Sequence, residues 1–88
     1  MKQSPDYLLR QVAGKIVLVP VGRAARTFPG MVDLNAVGKF IWEQLREEQT
    51  LQSLVTAITD RYEVDPKRAE ADARAFIERL QSVGAVTE

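Results

Sequence analysis

Residues 28–45 read FPGMVDLNAVGKFIWEQL. A short apolar strand passes straight into a helix through an asparagine, with no polar loop between them. Alternation places Val32 and Leu34 on one face of the strand and Met31 and Asp33 on the other. Asn35 is a good N-cap, because its side-chain oxygen can accept from a free N–H of the first helical turn. Val37, Phe40, Ile41 and Leu45 then recur at helical spacing. With Trp42 they form an apolar arc of roughly 200°, wider than one-sided packing needs. This helix is therefore expected between the sheet and the other helices. Gly38, one turn in, costs about 1 kcal/mol relative to alanine. Close approach of another backbone is the expected reason for it.

Working back from this corner, residues 7–13, YLLRQVA, read as a first strand, and Gly14 with Lys15 marks a tight turn. KIVLVPV, 15–21, is a second strand rich in β-branched residues. It should end at Pro20 or lie unpaired there, since proline has no N–H to give. GRAARTFP, 22–29, is a loop, and 30–34 is the third strand.

Working forward, Thr50 caps a second helix with Leu51, Leu54, Val55 and Ile58 as its stripe. Asp65 caps a third, with Pro66 at the first helical position, where a missing N–H is harmless. Its stripe is Ala69, Ala73, Phe76, Ile77, Leu80 and Val83. Gly84 supplies the stop, and AVTE follows as a tail or a brief extra strand. Strands first and helices after them argue for an α+β domain, one small sheet covered on one face.

If the strands pair in order, the third lies on an edge. That edge carries one charge, Asp33, and is weakly defended against pairing with another chain. An extended peptide can add a strand at such an edge through main-chain groups, with the N–H of Val32 expected among those on offer.

Composition narrows the function. Eighty-eight residues make one domain, 1–88. The 45% hydrophobic content is globular, and cysteine and histidine are absent. Disulfides, the usual zinc sites and histidine-based triads are thereby excluded. Ser4, Ser53 and Ser82 have no histidine to activate them, so no catalytic residue, cofactor or metal is expected. Twelve basic and twelve acidic residues cancel, leaving no gross field toward nucleic acid or anionic membrane. The first 34 residues carry five Lys/Arg against two Asp/Glu, the rest seven against ten. No signal peptide or membrane-spanning run is seen, and a cytoplasmic protein is expected.

The set Leu34-Asn35, Gly38 and Ile41-Trp42 closely resembles the Leu-Asn-x-x-Gly-x-x-Ile-Trp signature of the PqqD-like family. YLLRQVAGKIVLVPVG is similar to that family's opening hairpin. TLQSLVTAITDRYEVDPKRAEADARAFIERLQSVGAV is similar to its last two helices. The resemblance implies a winged-helix-like domain, a three-stranded antiparallel sheet followed by three helices. It implies a non-catalytic chaperone that binds the leader of a ribosomally made, post-translationally modified precursor peptide. The leader would add beside the third strand, in a cleft closed by the third helix, and be presented to a modifying enzyme, often a radical S-adenosylmethionine protein. Carried over residue by residue, the site is Gly30, Met31, Val32, Asp33 and Leu34, acting mainly through the backbone. Phe76 and Leu80 on the third helix join it, with Asp72 and Arg79 flanking them and Arg74 nearer the other side. Asn35, Gly38 and Trp42 are fold determinants on this view. Phe28 could plug the cleft or pack beneath it.

Three other readings compete. A DNA-binding winged helix needs a basic recognition helix. The second helix, 51–62, has one arginine and one aspartate, and the third mixes four basic with three acidic residues. A small hydrolase or transferase would need a nucleophile elbow, a glycine-rich phosphate loop or a metal-ligand cluster, and the sequence holds none of them. A structural accessory subunit of the enzyme, or a monomer that weakly homodimerises through its own strand edge, would need no leader at all.

Overall fold

The structure, a computed structural model, describes residues 1–27 and 30–87; Phe28, Pro29 and Glu88 lie outside the described residues. The elements in order are β1 (Lys2–Gln3), β2 (Tyr7–Val12), β3 (Lys15–Pro20), α1 (Ala24–Thr27), β4 (Val32–Leu34), α2 (Ala36–Gln44), α3 (Leu51–Arg61), α4 (Pro66–Ser82) and β5 (Val86–Thr87). The fold is α+β and winged-helix-like: an antiparallel sheet in the order β2-β3-β4, followed by the helices. The third strand of the sequence reading is β4, and it is an edge strand.

Four details differ from the sequence reading. The hairpin turns on Ala13 and Gly14, both with positive φ (51° and 81°), while Lys15 already pairs with Val12. Two positive φ values match the twist of the flanking strands, and Gly14 meets this requirement without strain. The expected loop contains the short helix α1. The strand at 30–34 is regular only over Val32–Leu34, with Gly30 in a bend before it. Finally, the chain's two ends pair with each other, Lys2 opposite Thr87 and Gln3 opposite Val86, so the brief terminal strand has a partner that the sequence did not suggest.

That terminal ribbon ties the helices to the sheet. The Gln3 backbone N–H donates to the Leu45 carbonyl at 2.8 Å, and its side-chain Nε2 to that of Trp42 at 2.6 Å. Both acceptors lie at the end of α2, where carbonyls run out of regular helical donors; that of Trp42 also accepts from the Leu45 N–H at 3.1 Å. The Tyr7 hydroxyl donates to the Val83 carbonyl, joining β2 to the end of α4.

The helices begin where their caps predict. The Asn35 side chain accepts from Gly38 N at 2.8 Å. Thr50 and Ser53 bond reciprocally as a capping box. Asp65 precedes Pro66 as the cap of α4, and Gly84, at φ 74°, turns the chain out of it. The core face of the sheet supplies Tyr7, Leu18, Val32 and Leu34. Against it pack Ile41, Trp42 and Leu45 of α2 and its end, Leu54, Val55 and Ile58 of α3, and Ala69, Ala73, Ile77 and Leu80 of α4.

Candidate functional site

The hairpin sets which main-chain groups β4 leaves open. A two-residue turn closes on a hydrogen-bonded pair, here Val12 and Lys15. Such pairs alternate along an antiparallel ladder. Arg10 with Val17 and Leu8 with Val19 are therefore bonded, and β3 spends the N–H and C=O of its odd-numbered residues on β2. Ile16 and Leu18 turn theirs to β4, where they meet Leu34 and Val32. The open edge is thus carried by Met31 and Asp33. The N–H of Val32 is committed to β3, which corrects the expectation that it is on offer. An independent contact agrees: Arg79 Nη1 of α4 donates to the Asp33 carbonyl at 3.4 Å, so that oxygen faces outward.

This bond also fixes what the edge faces. Between the start of α2 and the flank of α4 lies a groove of about 430 Å³ lined by Val37, Gly38, Arg68, Asp72, Ala75 and Phe76, among others. A second hollow of about 530 Å³, bounded by Gly14, Lys15, Asp33 and Asn35, meets it at Asn35. The first groove and the Arg79 contact with the Asp33 carbonyl beside it bound a trough between α4 and the open edge of β4, apolar at Val37, Ala75 and Phe76 and charged at its rim. Arg68 and Asp72 form an exposed ion pair on that rim at 3.8 Å. Gly38 shapes the floor. A Cβ there would stand 3.3 Å from Phe76 Cε1 and 3.3 Å from Asn35 Oδ1. The close approach predicted for this glycine is real, but the approaching group is an aromatic side chain rather than another backbone.

The predicted site residues separate into groups. Met31 (53% exposed) and Asp33 lie on the outer face of the edge strand. Val32 and Leu34 turn their side chains into the core, so only their neighbours' main chain is open. Asp72 and the half-buried Phe76 line the groove, and Arg79 reaches from α4 to the Asp33 carbonyl beside it. Leu80 is fully buried, which removes its side chain from the accessible set. Its position at the centre of the apolar stripe is what places it in the core. Arg74 pairs with Glu70 at 3.1 Å and lies outside the trough. Val37, Arg68 and Ala75 also line the groove and were not among the predicted site residues. Stepping by one helical turn from Asp72 and Arg79 reaches Arg68 and Ala75, so the signal for those two was present.

Chemically the trough can hold an extended chain, with main-chain groups to pair and an apolar floor for alternate side chains. Among the described residues no three of His, Cys, Asp and Glu come together to hold a metal ion. Among the same residues no helix is long and apolar enough to cross a membrane.

The family model for coenzyme PQQ synthesis protein D (PqqD) matches residues 15–86. Among solved structures, TbiB1 in complex with the TbiA(beta) leader peptide is similar at 28% identity. The match covers 97% of this chain and 93% of that one, with a TM-score of 0.75. A lasso peptide synthetase B1 complexed with the leader peptide shares the fold at 23% identity and a TM-score of 0.74, over 99% of this chain and 96% of that one. No curated protein matches the sequence.

Proposed function

The chain belongs to the PqqD family, and from that premise we propose that it is a non-catalytic chaperone for a ribosomally made precursor peptide. It binds the leader segment as an added strand on the open edge of β4 and presents the peptide, in the cytoplasm, to a modifying enzyme. The observation that carries the reading is the outward-facing N–H and C=O of Asp33 above a trough walled by α4. An added strand runs about 4.8 Å from its neighbour, so it would lie between β4 and that helix. The leader-bound state of TbiB1 supports the same role here. The enzyme partner proposed from the family resemblance is a radical S-adenosylmethionine maturase.

The experiment is an amide NMR titration of the labelled domain with the leader of a precursor encoded beside its gene. Shifts are expected at Met31 and Asp33 and along Arg68, Asp72, Phe76 and Arg79. Saturable binding that leaves β4 silent would sink strand addition. A folded domain that binds the maturase and no leader would point to the accessory role instead.

A further inference from the structure

The Asp33 carbonyl is the acceptor an added strand needs, and it is already in use. Arg79 Nη1 donates to it at 3.4 Å, in an exposed and long hydrogen bond. Among the described residues no carboxylate forms an ion pair with Arg79, whereas Arg68 pairs with Asp72, Arg74 with Glu70 and Lys39 with Glu43. Arg79 thus holds a place that an incoming N–H must take, with its own charge not paired to a carboxylate among the described residues.

Resting on the leader-binding reading above, we infer that Arg79 is the specificity-determining residue of the trough. It covers the open edge while the trough is empty. When a peptide docks, the peptide N–H replaces the guanidinium at the Asp33 oxygen, and the released guanidinium pairs with an acidic side chain of that peptide. Geometry fixes where the acid sits. Same-face side chains of an extended chain are about 6.7 Å apart, close to the ~6 Å rise along α4 that separates Arg79 from Ala75. A peptide side chain seated over Ala75 and Phe76 therefore has its second neighbour level with Arg79. The leader recognised carries an apolar residue and an acidic residue two positions apart. A basic residue at the second position meets Arg79 as a like charge.

The test uses a fluorescently labelled synthetic leader from the precursor reading frame nearest the gene. A series replaces each Asp or Glu singly with Gln and with Lys, and binding is read by anisotropy at low salt. On the native domain, one acid-to-Gln change is expected to weaken binding about fivefold, the range of an exposed ion pair. The matching Lys change weakens it further. On Arg79→Gln that acid loses its advantage, and on Arg79→Glu the Lys peptide becomes the preferred ligand. Raising the salt should erase the discrimination while leaving main-chain docking in place. The inference is overturned if the leader binds and shifts the β4 amides but Arg79→Glu scales all peptides equally. A leader that neither binds nor shifts β4 overturns the leader-binding reading and this inference with it. Arg79→Gln removes the charge without reversing it, so a folding defect in the charge-reversed variant does not decide the outcome.

Discussion

β4 has two edges and α4 has two sides, and in each element one is closed and the other open. The β3 edge of β4 is laddered through Val32 and Leu34, while Met31 and Asp33 face the trough. Toward α3, α4 presents Ala69, Ala73, Ile77 and Leu80, all buried. Toward the start of α2 it presents Arg68, Asp72 and Phe76 around a groove, and toward β4 it presents Arg79. The same helix thus packs like a core on one side and like a surface on the other. Most of the anchorage comes from the closed parts, with Phe76 adding a half-buried contact against the core. The open edge and the open side can then keep unpaired main chain and loosely paired charge with little effect on folding. That division predicts that stability and binding respond to different residues, even adjacent ones.

Two neighbouring prolines give the largest contrast. Val32→Pro removes an N–H committed to β3 and a core side chain. It should cost about 3 kcal/mol or more, enough to unfold a marginal domain. Asp33→Pro removes an N–H that the fold leaves open. Its unfolding midpoint in urea should stay close to native while leader affinity falls at least about tenfold, the scale of one lost main-chain bond with a buried acceptor left unmade. Equal destabilisation by the two prolines would mean that the ladder phase is not as described.

The two sides of α4 are separated by Leu80→Ala and Asp72→Ala. Leu80 is fully buried, so its truncation should cost about 2–5 kcal/mol in denaturant unfolding. It should weaken binding only through the unfolded fraction. Asp72→Ala, at an exposed ion pair, should move stability by less than about 0.5 kcal/mol. A destabilisation like that of Leu80→Ala would show that the open side carries the fold after all.

Much of this division was legible in the sequence, and the reasons for the rest are physical. Caps, apolar stripes and turn residues act locally, so Asn35, Thr50, Asp65 and Gly84 each marked a boundary that the structure keeps. The edge position of β4 followed from strand order. Ladder phase did not, because it depends on whether the hairpin turns on Ala13-Gly14 or Gly14-Lys15, and that one residue exchanges Val32 for Asp33 at the open edge. Leu80 was misplaced for a related reason. An apolar stripe shows that a helix has a packed side but not where its boundary with a cleft falls, and Phe76 and Leu80 lie on opposite sides of that boundary. The β1–β5 pairing joins the two ends of the chain and has no local signature.

Tyr7 tests the closed side by pH. Burial, with a smaller contribution from Asp6, raises its phenol above the ordinary value of 10.0. The folded state therefore keeps a proton that the unfolded state gives up. This contribution is intact below pH 10, declines as the unfolded phenol ionises above it, and is lost as pH climbs through the raised folded value. Tyr7→Phe removes the hydroxyl that donates to Val83 and should cost about 1 kcal/mol at neutral pH. The difference between variant and native should shrink as unfolding is repeated at increasingly alkaline pH. A difference that stays constant would mean the phenol titrates alike in both states.

Gly38→Ala should have the smallest effect, and magnitudes set its sign. Alanine gains at most about 1 kcal/mol of helix propensity, and less in the first turn, where the helix is only beginning. Against this stand two contacts of a new Cβ at 3.3 Å. The one with Asn35 Oδ1 arises inside the cap itself, where side chains other than glycine are routine at the third helical position. The one with Phe76 decides the matter. Its ring is half-buried beside an open groove, so it can yield by a few tenths of an ångström. Stability should therefore change by less than about 0.5 kcal/mol. The displaced ring narrows the trough, and leader affinity should fall by about two- to threefold, a fraction of a kcal/mol. Unchanged affinity with a shifted Phe76 resonance would take the ring out of the binding surface and leave Arg79 and the β4 edge to hold the peptide.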